Sequence, residues 1–428
     1  MSPPGRGLLA RRASSALVSQ GITAFASLVL QLVAARTLGA AGLGLYALCV
    51  SVLITATALY TGWVGDSVTV LDRFEPQIRA AISVSVIIGA AGGFLAGLAY
   101  LLFFGGGTLS AAFLLGVLIT CWLLEETGRR TLMARQEFGK LVANDGTYFA
   151  VTLLALAVGW LLGVPWSLTE LLGAMTVGAV AAILLAVIQL PRAELSALRP
   201  GFAGLRTVAA FAAWRSGQAT MRPATLLVAR LMVQIFGSLA AVGAMEAARL
   251  LLAPAQTVIS GAGSFLLSTF VSAEKSGERG RTQKKLANRA VWALVAVVIM
   301  VGVVAAALRG PLGWLVTGGK YELSAIAVVG WAVYLATWAA TLPYVTEIVA
   351  RQRSRDVFVV RLVDSVLGVV ATLVVLAAGL GYPWVPWGMS VGGLVAAVWL
   401  RQIAVRTRPD ARIGGRHRMS RRRTGVAA

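Results

Sequence analysis

One histidine, His417, and two cysteines, Cys49 and Cys121, are all that this chain has of the side chains that most often hold metals or form cross-links. Both cysteines sit inside long apolar runs, so neither a disulfide framework nor a paired metal-ligand spacing can be drawn. There is no His cluster, no Cys/His pair and no phosphate-cradling Gly-rich motif, so the common hydrolase and ATPase chemistries have no residues to run on. No catalytic residue, metal ligand or organic cofactor is assigned, and the chain is not read as an enzyme. Charge is scarce too: 13% of residues are charged, against about a quarter in soluble domains. Acids are rarest, with 17 Asp and Glu facing 38 Lys and Arg.

What remains is apolar. At 58% hydrophobic residues and a mean hydropathy of +0.81 over 428 residues, the chain reads as an integral membrane protein. A formal charge of +21 would suit nucleic acid, but the basic residues are separated by membrane-length apolar runs and do not share a soluble face, so no nucleic acid partner is expected. The apolar segments fall at 16–36, 43–65, 80–104, 108–127, 141–163, 168–190, 207–236, 241–271, 288–308, 322–349, 357–380 and 385–405. Each approaches or exceeds the roughly 20 residues of a spanning helix, and runs this long without alternation exclude a β-barrel. The fold class is an all-α polytopic membrane protein of about twelve transmembrane helices. The basic N-terminus followed by the run 16–36 is read as a retained first helix, too long for a signal peptide.

Alternate connections differ in charge. Arg6, Arg11 and Arg12 precede the first segment, and Arg73, Arg79, Arg129, Arg130, Arg135 and Lys140 follow the second and fourth. Arg192, Arg199 and Arg206 follow the sixth, six more lie between Lys275 and Arg289, four arginines lie between Arg351 and Arg361, and the tail is arginine-rich. The opposite connections are nearly uncharged apart from Arg309 and Lys320, and carry Trp166, Trp314, Trp384 and Trp387 as an interfacial belt. The positive-inside rule therefore places both termini in the cytoplasm. Residues 1–190 form one six-helix lobe, 191–206 a cytoplasmic linker, 207–405 a second lobe, and 406–428 a disordered basic tail held near anionic lipid.

One span breaks the apolar rule. Segment 207–236 carries Arg215, Arg222 and Arg230, and a charge at a helix centre costs roughly 2.5 to 3.5 kcal/mol on insertion scales. At about 100° per residue, Arg222 lies about 20° from Arg215 and Arg230 about 60° to its other side, with Gln218 and Thr225 alongside. That single polar stripe, roughly 22 Å long, either lines a wet cavity or pairs with acids. Pro223 frees the carbonyl of Ala219, so a bend is expected there. Arg249 and Arg36 extend the positive surface. The acids that would pair with it are Glu246, three residues before Arg249, together with Glu347, Asp364 and Asp66; the same acids are the candidates for proton or sodium coupling.

The first segment ends as LQLVAARTLGAAGLGLYAL and the seventh as LVARLMVQIFGSLAAVGAMEAARL. Aligning Gly39 with Gly237 brings Gly44 within one residue of Gly243, so both halves turn on glycines at the same place, as parallel repeats of transporters do. Here the chain resembles the multidrug/oligosaccharidyl-lipid/polysaccharide (MOP) flippase superfamily, and most closely its polysaccharide-exporter, Wzx-like branch. Arg36-Thr37-Leu38-Gly39 followed by Gly44-Leu45-Tyr46 is similar to that branch's turn after helix one, and Arg230 to Gly237 to its seventh-helix end, although Ala229 stands where many members carry Asp. The resemblance implies two six-helix lobes around a cavity that opens alternately inward and outward, and a multi-pass protein of the bacterial cytoplasmic membrane. It also implies a polyprenyl-pyrophosphate-linked glycan as cargo, moved for polysaccharide export. Planar, permanently charged guanidinium donors suit a pyrophosphate, so the substrate-binding candidates are Arg222, Arg215, Arg230, Arg249, Arg36 and Gln218. The alternatives are a cation-coupled multidrug exporter of the same superfamily and a major-facilitator transporter. Gly62-Trp63-Val64-Gly65-Asp66 resembles a loop motif of the latter, but Ser67-Val68-Thr69-Val70 lacks its arginine continuation.

Overall fold

The structure is a computed structural model and describes residues 6–106, 108–195, 200–275, 281–351 and 353–406. Among them every regular element is helical. In chain order these are α1 (Arg6–Tyr60), a π-turn (Thr61–Gly65), α2 (Asp66–Val70), α3 (Pro76–Phe103), α4 (Leu109–Ala134), α5 (Phe138–Leu161) and α6 (Leu168–Gln189). Then follow α7 (Arg192–Leu195), α8 (Leu205–Phe236), α9 (Leu239–Leu250), α10 (Ala253–Lys275), α11 (Arg281–Ala307) and α12 (Arg309–Thr317). The last are α13 (Ala325–Ala350), α14 (Ser354–Ala377) and, after a 3-10 turn at Tyr382–Trp384, α15 (Val385–Arg406). Linker residues 196–199 and tail residues 407–428, His417 included, fall outside the described residues.

Each apolar segment of the sequence is helical, and nine helices among the described residues are long and apolar enough to cross a membrane. Segments 16–36 and 43–65 run together as α1, yet Gly39 breaks that helix with φ +70° and ψ −174°. A side chain is strained at such a φ, so the residue expected to end the first span is one that glycine must occupy. Segment 241–271 is divided into α9 and α10. Helix α8 is continuous through Pro223. Short caps fix several starts: Thr108 Oγ1 accepts from the Ala111 amide, Ser167 Oγ accepts from the Glu170 amide, and Pro76 opens α3 where a missing N–H costs nothing. Apolar side chains such as Ile299, Met300 and Val303 of α11 are left exposed, as lipid-facing positions require, while Trp331 and Tyr46 are fully buried.

The chain forms two compact units: Met1–Leu250 with Trp314–Glu322, and Leu251–Gly313 with Leu323–Ala428. In the first, α3 packs on α4, α4 and α5 on α6, and α1 on α5, α8 and α9. The stretch 205–250, which sequence repetition assigns to the second lobe, therefore packs within the first unit. In the second, α13 packs against α10, α11 and α15, and α14 against α15.

The contact of α1 with α9 is tight enough to require glycine on both sides. A Cβ on Gly44 would lie 1.9 Å from the carbonyl oxygen of Leu239, and one on Gly243 would lie 1.8 Å from that of Ala40. Each glycine thus meets the residue four positions before the other. Gly44 and Gly243 are the pair that the sequence alignment brings nearly into register, and in the fold they face one another reciprocally, backbone to backbone.

Candidate functional site

The polar heart of the first unit lies where α1, α8 and α9 meet. Arg230 of α8 is 7% exposed and Glu246 of α9 2% exposed, so neither can keep a full hydration shell. They satisfy each other: Arg230 Nε donates to Glu246 Oε1 at 2.7 Å, and Arg230 Nη1 donates to Ser51 Oγ of α1 at 2.6 Å. The second carboxylate oxygen, Glu246 Oε2, accepts from Arg249 Nε at 2.7 Å, the i, i+3 pair expected on α9. Arg249 Nη2 then donates to Gln31 Oε1 at 2.6 Å, and Gln31 Nε2 donates to Ser27 Oγ at 2.9 Å. Two guanidiniums share one carboxylate, so these three side chains, among the described residues, sum to a formal charge of +1. Such a surplus attracts an anion, and the partly exposed Arg249 is the side on which solvent can meet it.

Two turns before Arg230 lies Arg222, half-buried, and a turn further back Gln218, also half-buried. Arg215 is exposed; its Nε donates to Asp66 Oδ2 at 2.6 Å, and its guanidinium stands over the Phe211 ring at 5.5 Å. Close approach of the π-turn to α8 makes this pair possible, because a Cβ on Gly62 would lie 2.5 Å from the Ser216 Cα. The stripe is therefore graded along α8, from an exposed arginine pair at Arg215 to a buried one at Arg230. Arg36 is held elsewhere. It is exposed, donates from Nε to the Leu315 carbonyl at 2.7 Å, and shares the end of α1's first half with Lys320, whose Nζ donates to the Thr37 carbonyl. Residues 314–322, read in the sequence as a plain connection, thus belong to the first unit and meet the Gly39 turn through Leu315 and Lys320.

In the second unit, Glu347 is 1% exposed and accepts from Arg351 Nη2, while Arg351 also donates to Gln283 Oε1 and the Ala404 carbonyl. Asp364 is half-buried and pairs with Arg361 at 3.3 Å. Each of the four acids read as coupling or pairing candidates thus lies against an arginine.

A second ionic cluster went unread in the sequence. Helix α4 continues seven residues beyond the expected end at 127, adding Arg129 and Arg130 to Glu125 and Glu126, and Arg129 and Glu125 meet α5. Arg129 binds Glu126 Oε2 at 2.6 Å and Asp145 Oδ1 at 2.7 Å, and Arg130 binds Glu126 Oε1 at 2.6 Å. The signal was present in Glu125-Glu126-Thr127-Gly128-Arg129-Arg130, where acids and bases fall at i, i+3 and i, i+4. Near the chain connections, Glu194 of α7 binds Arg73 at 3.0 Å and Arg135 at 3.4 Å, tying the start of the linker to two basic loops. Among the described residues no group of three metal-ligating side chains is arranged to hold a metal.

No protein-family model matches the chain, and no curated protein is similar to it in sequence. Solved structures do match. An inward-facing multidrug resistance MATE family transporter of the MOP superfamily superposes with a TM-score of 0.69 at 16% identity, over 96% of this chain and all of that one. The lipid II flippase MurJ, in an inward closed conformation, gives 0.72 at 11% identity over 92% of this chain and 87% of its own. A MOP superfamily transporter from Pyrococcus furiosus, whose description notes a binding pocket of reversed polarity, gives 0.57 at 14% over 92% and 95%. At such identities the likeness is one of fold: this all-α polytopic membrane protein has the architecture of the MOP-superfamily transporters.

Proposed function

We propose that the chain is a membrane transporter that flips a polyprenyl-pyrophosphate-linked oligosaccharide across the bacterial cytoplasmic membrane by alternating access, both termini being cytoplasmic. The observation that carries this reading is the group Arg230–Glu246–Arg249, two guanidiniums on one carboxylate, with Arg222 further along α8 and Arg215 beyond it, paired with Asp66. A pyrophosphate needs cationic, multidentate donors in a low-dielectric path, and guanidinium provides them without risk of deprotonation. Arg222 is assigned to the pyrophosphate during transport, with Gln218 and the exposed side of Arg249 beside it. Arg230 holds Arg249 and Glu246 in register. The reciprocal packing of Gly44 and Gly243 supports descent of the two halves from one repeat. Anionic lipid would hold the basic tail.

The test is export of the lipid-linked glycan by cells that depend on this chain. Arg222→Ala is expected to abolish export at normal protein abundance, and Arg222→Lys to restore it partly, since one ammonium cannot reproduce the planar fork. Full export by the alanine variant would refute the assignment. A second reading, export of cationic drugs, is favoured by the MATE structures among the matches. It would require acids free to meet a cation, whereas Glu246, Glu347, Asp66 and Asp364 each lie against an arginine.

A further inference from the structure

The cluster at the end of α4 has one carboxyl more than its arginines can serve. Among the described residues it holds Glu125, Glu126 and Asp145 against Arg129 and Arg130, a formal charge of −1. All three acids are 5% exposed or less. Two of them are well provided for as carboxylates. Glu126 accepts from both arginines at 2.6 Å and from Thr61 Oγ1 at 3.2 Å; Asp145 accepts from Arg129 Nε at 2.7 Å and from Ser19 Oγ. Glu125 is left over: Arg129 Nε stands 3.6 Å away, beyond a hydrogen bond, and its one close partner is the amide of Asn144, Nδ2 to Oε1 at 2.8 Å.

That amide points to what completes the site. Asn144 is fully buried, and while Nδ2 serves Glu125, Oδ1 has no partner. A buried amide oxygen left without a donor is costly, and so is a buried carboxylate whose neighbouring cation, Arg129, is shared with two other acids. One proton removes both costs. A carboxylic acid offers one acceptor and one donor, and a primary amide offers the complementary pair, so protonated Glu125 can accept from Asn144 Nδ2 and donate to Asn144 Oδ1. Sodium fits less well, because it needs several oxygens and the Arg129 guanidinium lies alongside. The other groups facing Glu125 are Glu126 and Arg129 on α4, Asp145 on α5 and, one turn along, the buried Tyr148, which clusters with Ala179 and Ala182 of α6. We infer that Glu125 and Asn144 form a proton-binding site at the junction of α1, α4 and α5. Proton binding there stands whatever the chain carries; its use in driving transport rests on the transporter reading.

The test is infrared difference spectroscopy of the full chain in lipid nanodiscs, titrated from alkaline to acidic buffer without substrate. The wild type should show a protonated-carboxyl band that Glu125→Gln lacks, and Asn144→Ala should move that band upward in frequency by removing its hydrogen-bond acceptor. Glu125→Gln should elute as the folded protein, since its amide carries the same neutral charge as the protonated acid. Should that variant fail to fold, the band shift in Asn144→Ala still assigns the group. Identical spectra for wild type and Glu125→Gln, or a band in Asn144→Ala that does not move, would overturn the proposal. So would a band that disappears on adding sodium at fixed pH, which would make the site a metal-ion site.

Discussion

Replacing Glu246 by alanine should destabilise the chain more than replacing either arginine that it serves. The carboxylate accepts from Arg230 and Arg249, both at 2.7 Å, and its loss leaves Arg230, 7% exposed, with Ser51 as its remaining acceptor. Breaking a buried ion pair by removing one partner costs about 3 to 5 kcal/mol, mostly because the survivor stays charged in a poor solvent. Arg249 adds less than a second full penalty, because its side chain is 17% exposed and keeps Gln31. We expect about 4 kcal/mol for Glu246→Ala. Arg230→Met is a different perturbation: Glu246 keeps Arg249, Ser51 keeps the Ala47 carbonyl, and a thioether of similar length fills the space. It should cost about 1–2 kcal/mol. Adding Arg230→Met to Glu246→Ala should then recover part of the loss, since the most deeply buried orphan charge is gone. Thermal unfolding followed by tryptophan fluorescence in nanodiscs reads all three variants. A Glu246→Ala protein as stable as wild type, or a double variant weaker than the sum of the singles, would refute the reasoning.

Gly44→Ala and Gly243→Ala should each cost about 1–3 kcal/mol or more, because the new methyl meets a carbonyl oxygen of the facing helix and not a movable side chain; a protein that tolerates both unchanged would contradict the crossing. Lys140 first and Arg135 second hold the Glu137 carboxyl, between α4 and α5, below its ordinary value. Its contribution to stability is therefore complete above the unfolded carboxylate range and is lost as pH falls through the depressed value, so Glu137→Gln should flatten the acid side of a stability–pH profile, and an unchanged profile would count against the pairing. Reporter fusions after Gly106, Pro165, Leu239 and Gly318 should report the outer side; cytoplasmic signals at two or more of them would defeat the topology.

The spans were legible because bilayer-length apolar runs admit one backbone solution, and Gly39 because a charged, small-residue turn between two such runs needs a residue free of Cβ strain. The Glu246–Arg249 pair could be read from its spacing alone. Glu246 was one of four acids that could pair with the stripe; which of them Arg230 would find could not be read, since the two sit on different helices and only the close packing of α1 with α9 brings Ser51 to the same place. The cluster on α4 was hidden by its own charges. Four ionisable residues in a row of six read as a membrane boundary, yet their mutual pairing lets the helix continue with Glu125 and Glu126 nearly inaccessible. Arg36 was legible as a residue of the turn but not by its partner, the Leu315 carbonyl, which lies 279 residues away.

The most direct test of the central claim is transbilayer movement in liposomes that contain the purified chain and a fluorescent polyprenyl-pyrophosphate-linked oligosaccharide. The readout is the fraction of glycan that an externally added glycosidase can reach. Wild-type protein should expose glycan from the inner leaflet faster than protein-free liposomes do. Arg222→Ala, reconstituted in equal amount and correctly folded, should fall to the protein-free rate, with Arg222→Lys in between. Wild-type protein that moves the lipid no faster than empty liposomes, while moving a cationic drug, would contradict the account.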